Sequence, residues 1–152
     1  MLEIVGINRS NVATGFIGIK STTTKTEMLR AIIDSIAFSI KLKMDQVLND
    51  LNANEIKLKS IKISGGVARC NFLCQYLADL LNFNIEVSNL SYSSSSFGAG
   101  FLAGLGAKIF SNLNDLLSIR KVVKTFVPNK SKKNYGDDIT RWKNAINRFK
   151  NW

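Results

Sequence analysis

Ile61-Lys62-Ile63-Ser64-Gly65-Gly66-Val67-Ala68-Arg69-Cys70-Asn71 is the stretch that decides the fold class. A β-branched apolar run ends in two adjacent glycines. An amphipathic segment follows, with Phe72, Leu73, Tyr76, Leu77, Leu80 and Leu81 at helical spacing. That order predicts strand, tight turn, helix. Adjacent glycines allow positive φ and let another molecule approach the main chain closely. A helix after such a turn aims its first amides at whatever lies above it. In open α/β sheets ligands sit at turns of this kind, outside the carboxyl ends of strands. A plain structural turn has the same spacing, so the motif alone leaves both readings open.

Downstream, the helix is expected from about Cys70 to Leu81, with Asn82 as a left-handed terminator. Ile85-Glu86-Val87 reads as a short strand. Ser91 to Ser96 is polar and of low complexity, and Ser95 or Ser96 is the expected N-cap of a small-residue helix over Phe97–Gly106. Glycine costs about 1 kcal/mol against alanine inside a helix, so its glycines predict close packing against another element. Asn114 to Ser118 predicts a helical turn. Val122 to Val127 predicts an edge strand closed by Pro128, the only proline. A last helix is expected from about Asn134 to Trp152, with Ile139, Trp142, Ala145, Ile146 and Phe149 on one face.

Upstream, Lys57 to Ser64 is the expected extent of the strand before the glycines. Thr24 and Glu27 form a capping box, each side chain satisfying an amide of the first turn. The helix it opens carries an apolar stripe from Met28 through Ile36 and Ile40 to Leu51, with Asn49 to Asn54 as a polar stop. Phe16 to Ile19 reads as a short strand, and residues 1–15 show no strong periodicity. Strands alternating with helices, without a linker or repeat, give an α/β fold in a single domain over residues 1–152.

Composition bounds the function. The chain has 152 residues, two cysteines and no histidine. Without histidine there is no Ser-His-Asp or Cys-His catalysis and no imidazole ligand. Cys70 and Cys74, at i and i+4, match neither a disulfide framework nor a zinc site. No apolar run reaches the roughly 20 residues of a membrane span, and no secretory signal is visible. The expected location is cytoplasmic, without membrane contact. Between Ile119 and Trp152 ten lysines and arginines face two acids, so most of the net charge of +10 is local. This basic tail reads as a solvated helix face, and nucleic acid ranks last among partners.

Four collinear segments carry a family resemblance: Arg30-Ala31-Ile32-Ile33-Asp34-Ser35-Ile36-Ala37-Phe38 after the threonines at 22–24; Ser64-Gly65-Gly66-Val67-Ala68-Arg69; the helix Phe72–Leu81; and Ser95–Leu105. Trp142, Ala145 and Trp152 add a matching tail. Over about residues 14–152 the chain resembles the C-terminal domain of the FGGY carbohydrate kinases, in particular its glycerol-kinase-like members. The resemblance implies an actin-like (ribonuclease H-like) ATPase lobe, the C-terminal half of a two-lobe sugar kinase. It implies ATP or ADP and Mg2+ as cofactors, and a polyol or sugar, glycerol foremost, as phosphoryl acceptor. It implies an N-terminal lobe as partner, holding the phosphate loop, the acceptor pocket and the general-base Asp. It places Gly65, Gly66, Cys70 and Asn71 at the nucleotide. Cys70 stands where the family usually has an Asn, and Ser64 stands for its Asp. No catalytic residue is named: Asp34, Asp45, Asp50, Glu55, Asp79 and Asp115 read as solvated or capping carboxylates. A chain with this role is inactive alone. The other reading is a degenerate stand-alone lobe that binds a nucleotide or a protein. An isolated lobe is also expected to show an unpaired sheet edge or an exposed apolar patch.

Overall fold

A computed structural model describes residues 3–5, 15–129 and 135–149. The chain divides into two compact units, residues 1–56 with 131–152, and residues 57–130.

The first unit contains strands β1 (Glu3–Val5) and β2 (Gly15–Ile17), paired antiparallel, with helices α1 (Lys25–Ala53) and α5 (Gly136–Arg148). Strand β1 lies in a stretch whose sequence has no alternation to reveal it. The Thr24–Glu27 capping box forms as expected: the Glu27 N–H donates to Thr24 Oγ1, and the Thr24 N–H donates to the Glu27 carboxylate at 2.7 Å. Helix α1 ends at Ala53 with Asn54 as its C-cap, within the expected stop of Asn49 to Asn54. Asparagines are tolerated on its solvated face, and Glu55, at φ +57°, turns the chain. Ala31, Ser35, Ala37 and Phe38 are the buried residues of α1. Phe38 meets Trp142 of α5 at a ring separation of 5.9 Å, beside buried Ala145 and Ile146. Residue 134 and residues 150–152, given to the last helix by its sequence pattern, lie outside the described residues.

The second unit is a three-stranded sheet in the order β3-β4-β5. Strand β3 (Ile61–Ile63) runs parallel to β4 (Ile85–Ser88), and β5 (Val122–Phe126) runs antiparallel to β4 on its other side. The strand expected from Lys57 shortens to three residues because pairing with β4 extends only from Ile61↔Ile85 to Ile63↔Val87. Helix α2 (Asn71–Leu81) buries Leu73, Cys74, Leu77, Leu80 and Leu81, and the sheet contributes buried Ile85, Val87 and Phe126. Asn82 ends α2 at φ +59°, the left-handed conformation asparagine tolerates. Strand β5 is the expected edge strand.

Helix α3 (Ser94–Gly106) departs from expectation in two respects. Its first residue is Ser94 and its N-cap is Ser93, which makes no side-chain capping bond, so Ser95 and Ser96 lie inside the first turn. Of its glycines, only Gly104 is packed closely: a Cβ there would come within 2.6 Å of the Phe110 ring. Gly98, Gly100 and Gly106 face open space. Helix α4 (Leu113–Ile119) is capped by Asn112 and Asp115, which form a second capping box.

Candidate functional site

The site is built on the turn after β3. Gly65 has φ +89° and ψ −178°, a region essentially reserved for glycine. Its N–H donates to the Ser91 carbonyl at 2.7 Å. Gly66 then opens a single 3-10 turn, Gly66–Arg69, and α2 begins only at Asn71. That turn fills the gap between the glycines and the helix N-terminus, which lies one residue from the expected start at about Cys70. A Cβ at Gly65 or Gly66 would meet nothing within 4 Å, so the main chain here is open to a ligand.

Cys70 is the N-cap residue of α2, exposed, and its side chain makes no capping hydrogen bond. Asn71, also exposed, accepts a hydrogen bond on Oδ1 from Lys124 Nζ at 3.0 Å. The carboxamide also carries an NH2 group that can donate. Lys124 reaches from β5, its ammonium 4.8 Å from the centroid of the Phe126 ring. The four residues singled out from the sequence thus fall on the connection that runs from the end of β3 to the start of α2. Cys74, one turn on, is buried; its thiol reaches the Ala68 carbonyl at 3.7 Å, and burial pushes its pKa up.

Ser91 holds this corner together, and sequence reasoning passed over it as part of a polar run. It is 2% exposed. Its hydroxyl donates to the Ile63 carbonyl at 3.1 Å and accepts the Ser88 N–H at 2.7 Å, while its own carbonyl receives the Gly65 N–H. The register shift between Val87 and Ser88 frees the Ser88 amide for that bond. One serine therefore ties the ends of β3 and β4 to the glycine turn. Its only sequence signal was its place four residues past the expected strand Ile85–Val87. Tyr92, next to it, lies under the Arg69 guanidinium, 4.9 Å from the ring centroid.

Beyond the ends of β3 and β4 lies an open cavity of about 280 Å³, bounded by Ile63, Ser88, Leu90, Phe97, Phe101 and Arg120. Gly65, Gly66, Cys70 and Asn71 do not line it. Four of the six acids singled out from the sequence are occupied elsewhere. Asp34 pairs with Arg30 at 2.8 Å, Asp45 pairs with Lys41, and Asp79 accepts from Gln75 and from the Asn129 N–H. Asp115 receives the N–H groups of Ser111 and Asn112. Glu86 lies 3.8 Å from Arg120. Among the described residues no three His, Cys, Asp or Glu side chains come together as a metal site. No helix among them is long and apolar enough to cross a membrane.

Comparison with known proteins places this corner in context. Residues 4–107 match the FGGY family of carbohydrate kinases, C-terminal domain. The chain is similar to glycerol kinase 5 of Gallus gallus, 32% identical over 148 residues that cover 97% of this chain and 28% of that protein. It is similar to the glycerol kinase of Trichodesmium erythraeum, 35% identical over 136 residues, 90% of this chain and 26% of that protein. Among solved structures it superposes on Plasmodium falciparum glycerol kinase with ADP, with a TM-score of 0.72 and 25% identity over 97% of this chain and 30% of that one. Xylulose kinase of Rhodospirillum rubrum shares the fold, with a TM-score of 0.69 at 17% identity over 97% of this chain and 30% of that one. The chain spans little more than a quarter of the curated relatives it matches.

Proposed function

Because the chain belongs to the FGGY family of carbohydrate kinases, through its C-terminal domain, we propose that it supplies the adenosine side of a glycerol-kinase-like active site. The fold is the actin-like, ribonuclease H-like one of its structural neighbours. The whole enzyme transfers the ATP γ-phosphate to a polyol or sugar hydroxyl, glycerol foremost, in the cytoplasm. Residues 1–152 act as one functional domain, a reading supported by a family match that runs through both compact units.

The observation that carries the proposal is the open main chain at Gly65–Gly66, fixed by the Ser91 carbonyl, with exposed Asn71 following at the start of α2. Gly66 admits the purine against the backbone. Asn71 supplies the directional donor that Cys70, a weak hydrogen-bonding group, does not. A nucleotide fits these residues. A Mg2+ ion does not, for want of a carboxylate set, so the ion and the phosphates belong in this reading to the rest of the kinase. ATP or ADP, that remaining polypeptide and the acceptor alcohol are the partners.

Phosphoryl transfer depends on aligned phosphates and a base within reach of the attacking hydroxyl. This chain's contribution is to hold the adenosine and so align the phosphates. The test is phosphate transfer to glycerol, measured for the 152-residue chain and for a polypeptide that adds the remainder of a glycerol kinase. The chain alone is expected to be inactive and the completed protein active. Turnover by the chain alone would overturn the division of labour, and ADP binding unaffected by Gly66→Val would overturn the site.

A further inference from the structure

Arg69 is the last residue of the 3-10 turn that Gly66 opens, and it is exposed. Such a turn rises about 2 Å per residue, so the two Cα atoms lie roughly 6 Å apart along it. Among the described residues the Arg69 guanidinium meets no carboxylate and makes no hydrogen bond. Its partner is the Tyr92 ring, with Cζ 4.9 Å from the centroid, inside the range of a cation–π contact. A guanidinium is planar and weakly hydrated. Held against a ring by one face, it keeps the other face for a second flat partner.

Tyr92 is placed by the same contacts that shape the glycine turn. It sits in the 3-10 turn Ser91–Ser93, closed by the Ser93 N–H on the Leu90 carbonyl at 3.2 Å. Its neighbour Ser91 is buried and holds both the Ile63 carbonyl and the Gly65 N–H. Gly65, Ser91, Tyr92 and Arg69 are therefore one connected set, and what opens the main chain at Gly66 also places the guanidinium.

Two features favour a flat ring over an anion as the second partner. The amides of Gly65, Ala68 and Cys70 are already donated, to the carbonyls of Ser91, Gly65 and Val67. An anion needs converging donors; a stacked ring needs none. Val67, within the turn, adds apolar surface that is 46% exposed. Position 70 gives little grip of its own, because Cys70 is a weak hydrogen-bonding group that makes no capping bond.

We propose that the Tyr92–Arg69 pair is the platform for the nucleotide base. The purine lies on the face of the guanidinium turned away from Tyr92, in a Tyr–Arg–purine stack, with its edge toward the open main chain at Gly66. Bases stack in this way on arginine planes and aromatic faces. The inference rests on the nucleotide reading above and adds to it the side chain that grips the base.

The experiment titrates the isotopically labelled 152-residue chain with ADP and with adenosine, as the parent and as Arg69→Ala, Arg69→Lys, Tyr92→Phe and Tyr92→Leu. Arg69→Ala is expected to weaken both ligands by the same factor, about fivefold or more, as when a base loses its stacking partner. Arg69→Lys, which lacks the plane, follows Arg69→Ala. Tyr92→Phe keeps the ring and the affinity, whereas Tyr92→Leu loses part of it. Combining Arg69→Ala with Tyr92→Leu costs no more than Arg69→Ala alone, since one stack is lost once. Both side chains are exposed, so the thermal midpoints are expected to stay at the parent's value. In the parent, adenosine moves the Arg69 Nε–H resonance upfield, the ring-current mark of a base on the guanidinium face. That readout needs no variant and decides the matter even where a variant folds poorly.

Weaker ADP binding by Arg69→Ala with adenosine unaffected would give Arg69 to the phosphates and overturn the platform. So would unchanged affinity of Arg69→Ala, a parent that binds ADP and not adenosine, or no upfield shift in a chain that binds both. Each of these leaves the nucleotide site at Gly66 standing. A parent that binds neither ligand would overturn the nucleotide reading and the platform with it.

Discussion

Gly65 and Gly66 are adjacent and chemically identical, yet opposite consequences are expected when each becomes alanine. Gly65 sits at φ +89° and ψ −178°. An L-residue held there costs about 1–3 kcal/mol, however much space surrounds it. For a domain of this size each kcal/mol moves the thermal midpoint by about 2–4 °C, so Gly65→Ala is expected to lower it by about 2–12 °C. Gly66 has no positive φ, opens a 3-10 turn, and has no atom within 4 Å of its would-be Cβ. Alanine there is neutral, or stabilising by up to about 1 kcal/mol through lost chain entropy. Its methyl group does occupy the volume assigned to the purine, and ADP affinity is expected to fall by about tenfold or more, or about 1.4 kcal/mol. The assay is thermal unfolding with ADP titration on both variants. Equal stability of Gly65→Ala and the parent would refute the account of the turn. Unchanged ADP binding by Gly66→Ala would refute the close approach.

Further expectations concern the supports of the site. Ser91→Ala leaves the Ser88 N–H and the Ile63 carbonyl short of a partner and is expected to cost about 1–3 kcal/mol in urea unfolding. Iodoacetamide is expected to modify exposed Cys70 first and Cys74 only on unfolding, since burial both hides the Cys74 thiol and raises its pKa; saturating ADP should slow the Cys70 reaction. The hydrogen bond from the Thr24 N–H holds the Glu27 carboxyl below its ordinary pKa. The stability it contributes is complete above the unfolded carboxylate pKa and is lost as pH falls through the lower folded value. Glu27→Gln, which removes the titrating carboxyl, is therefore expected to flatten the acid limb of a stability–pH profile.

The elements whose signals are local were legible in the sequence. The capping box at Thr24–Glu27, the αL cap at Asn82 and the edge strand before Pro128 each depend on a few adjacent residues, and each forms. Elements set by pairing were less legible. Strand β1 exists through its pairing with β2, and the span of β3 is cut to the length of its match with β4. The site was legible as a glycine turn, whereas what fixes it was not. Ser91 resembles its serine neighbours until the fold brings Ile63, Gly65 and Ser88 to it, and Lys124 stands 53 residues from the Asn71 it orients. The glycines of α3 suggested packing. Only Gly104 finds it within the described residues.

The central claim is that this corner takes the adenosine of a nucleotide. Its most direct test is an ADP titration of the isotopically labelled chain, followed through the main-chain amides of Gly65, Gly66, Cys70 and Asn71 and the Asn71 side-chain NH2. Saturable shifts concentrated on those groups are the predicted result. Shifts confined to the cavity beside Phe97 and Arg120, or no shifts at any concentration, would contradict it.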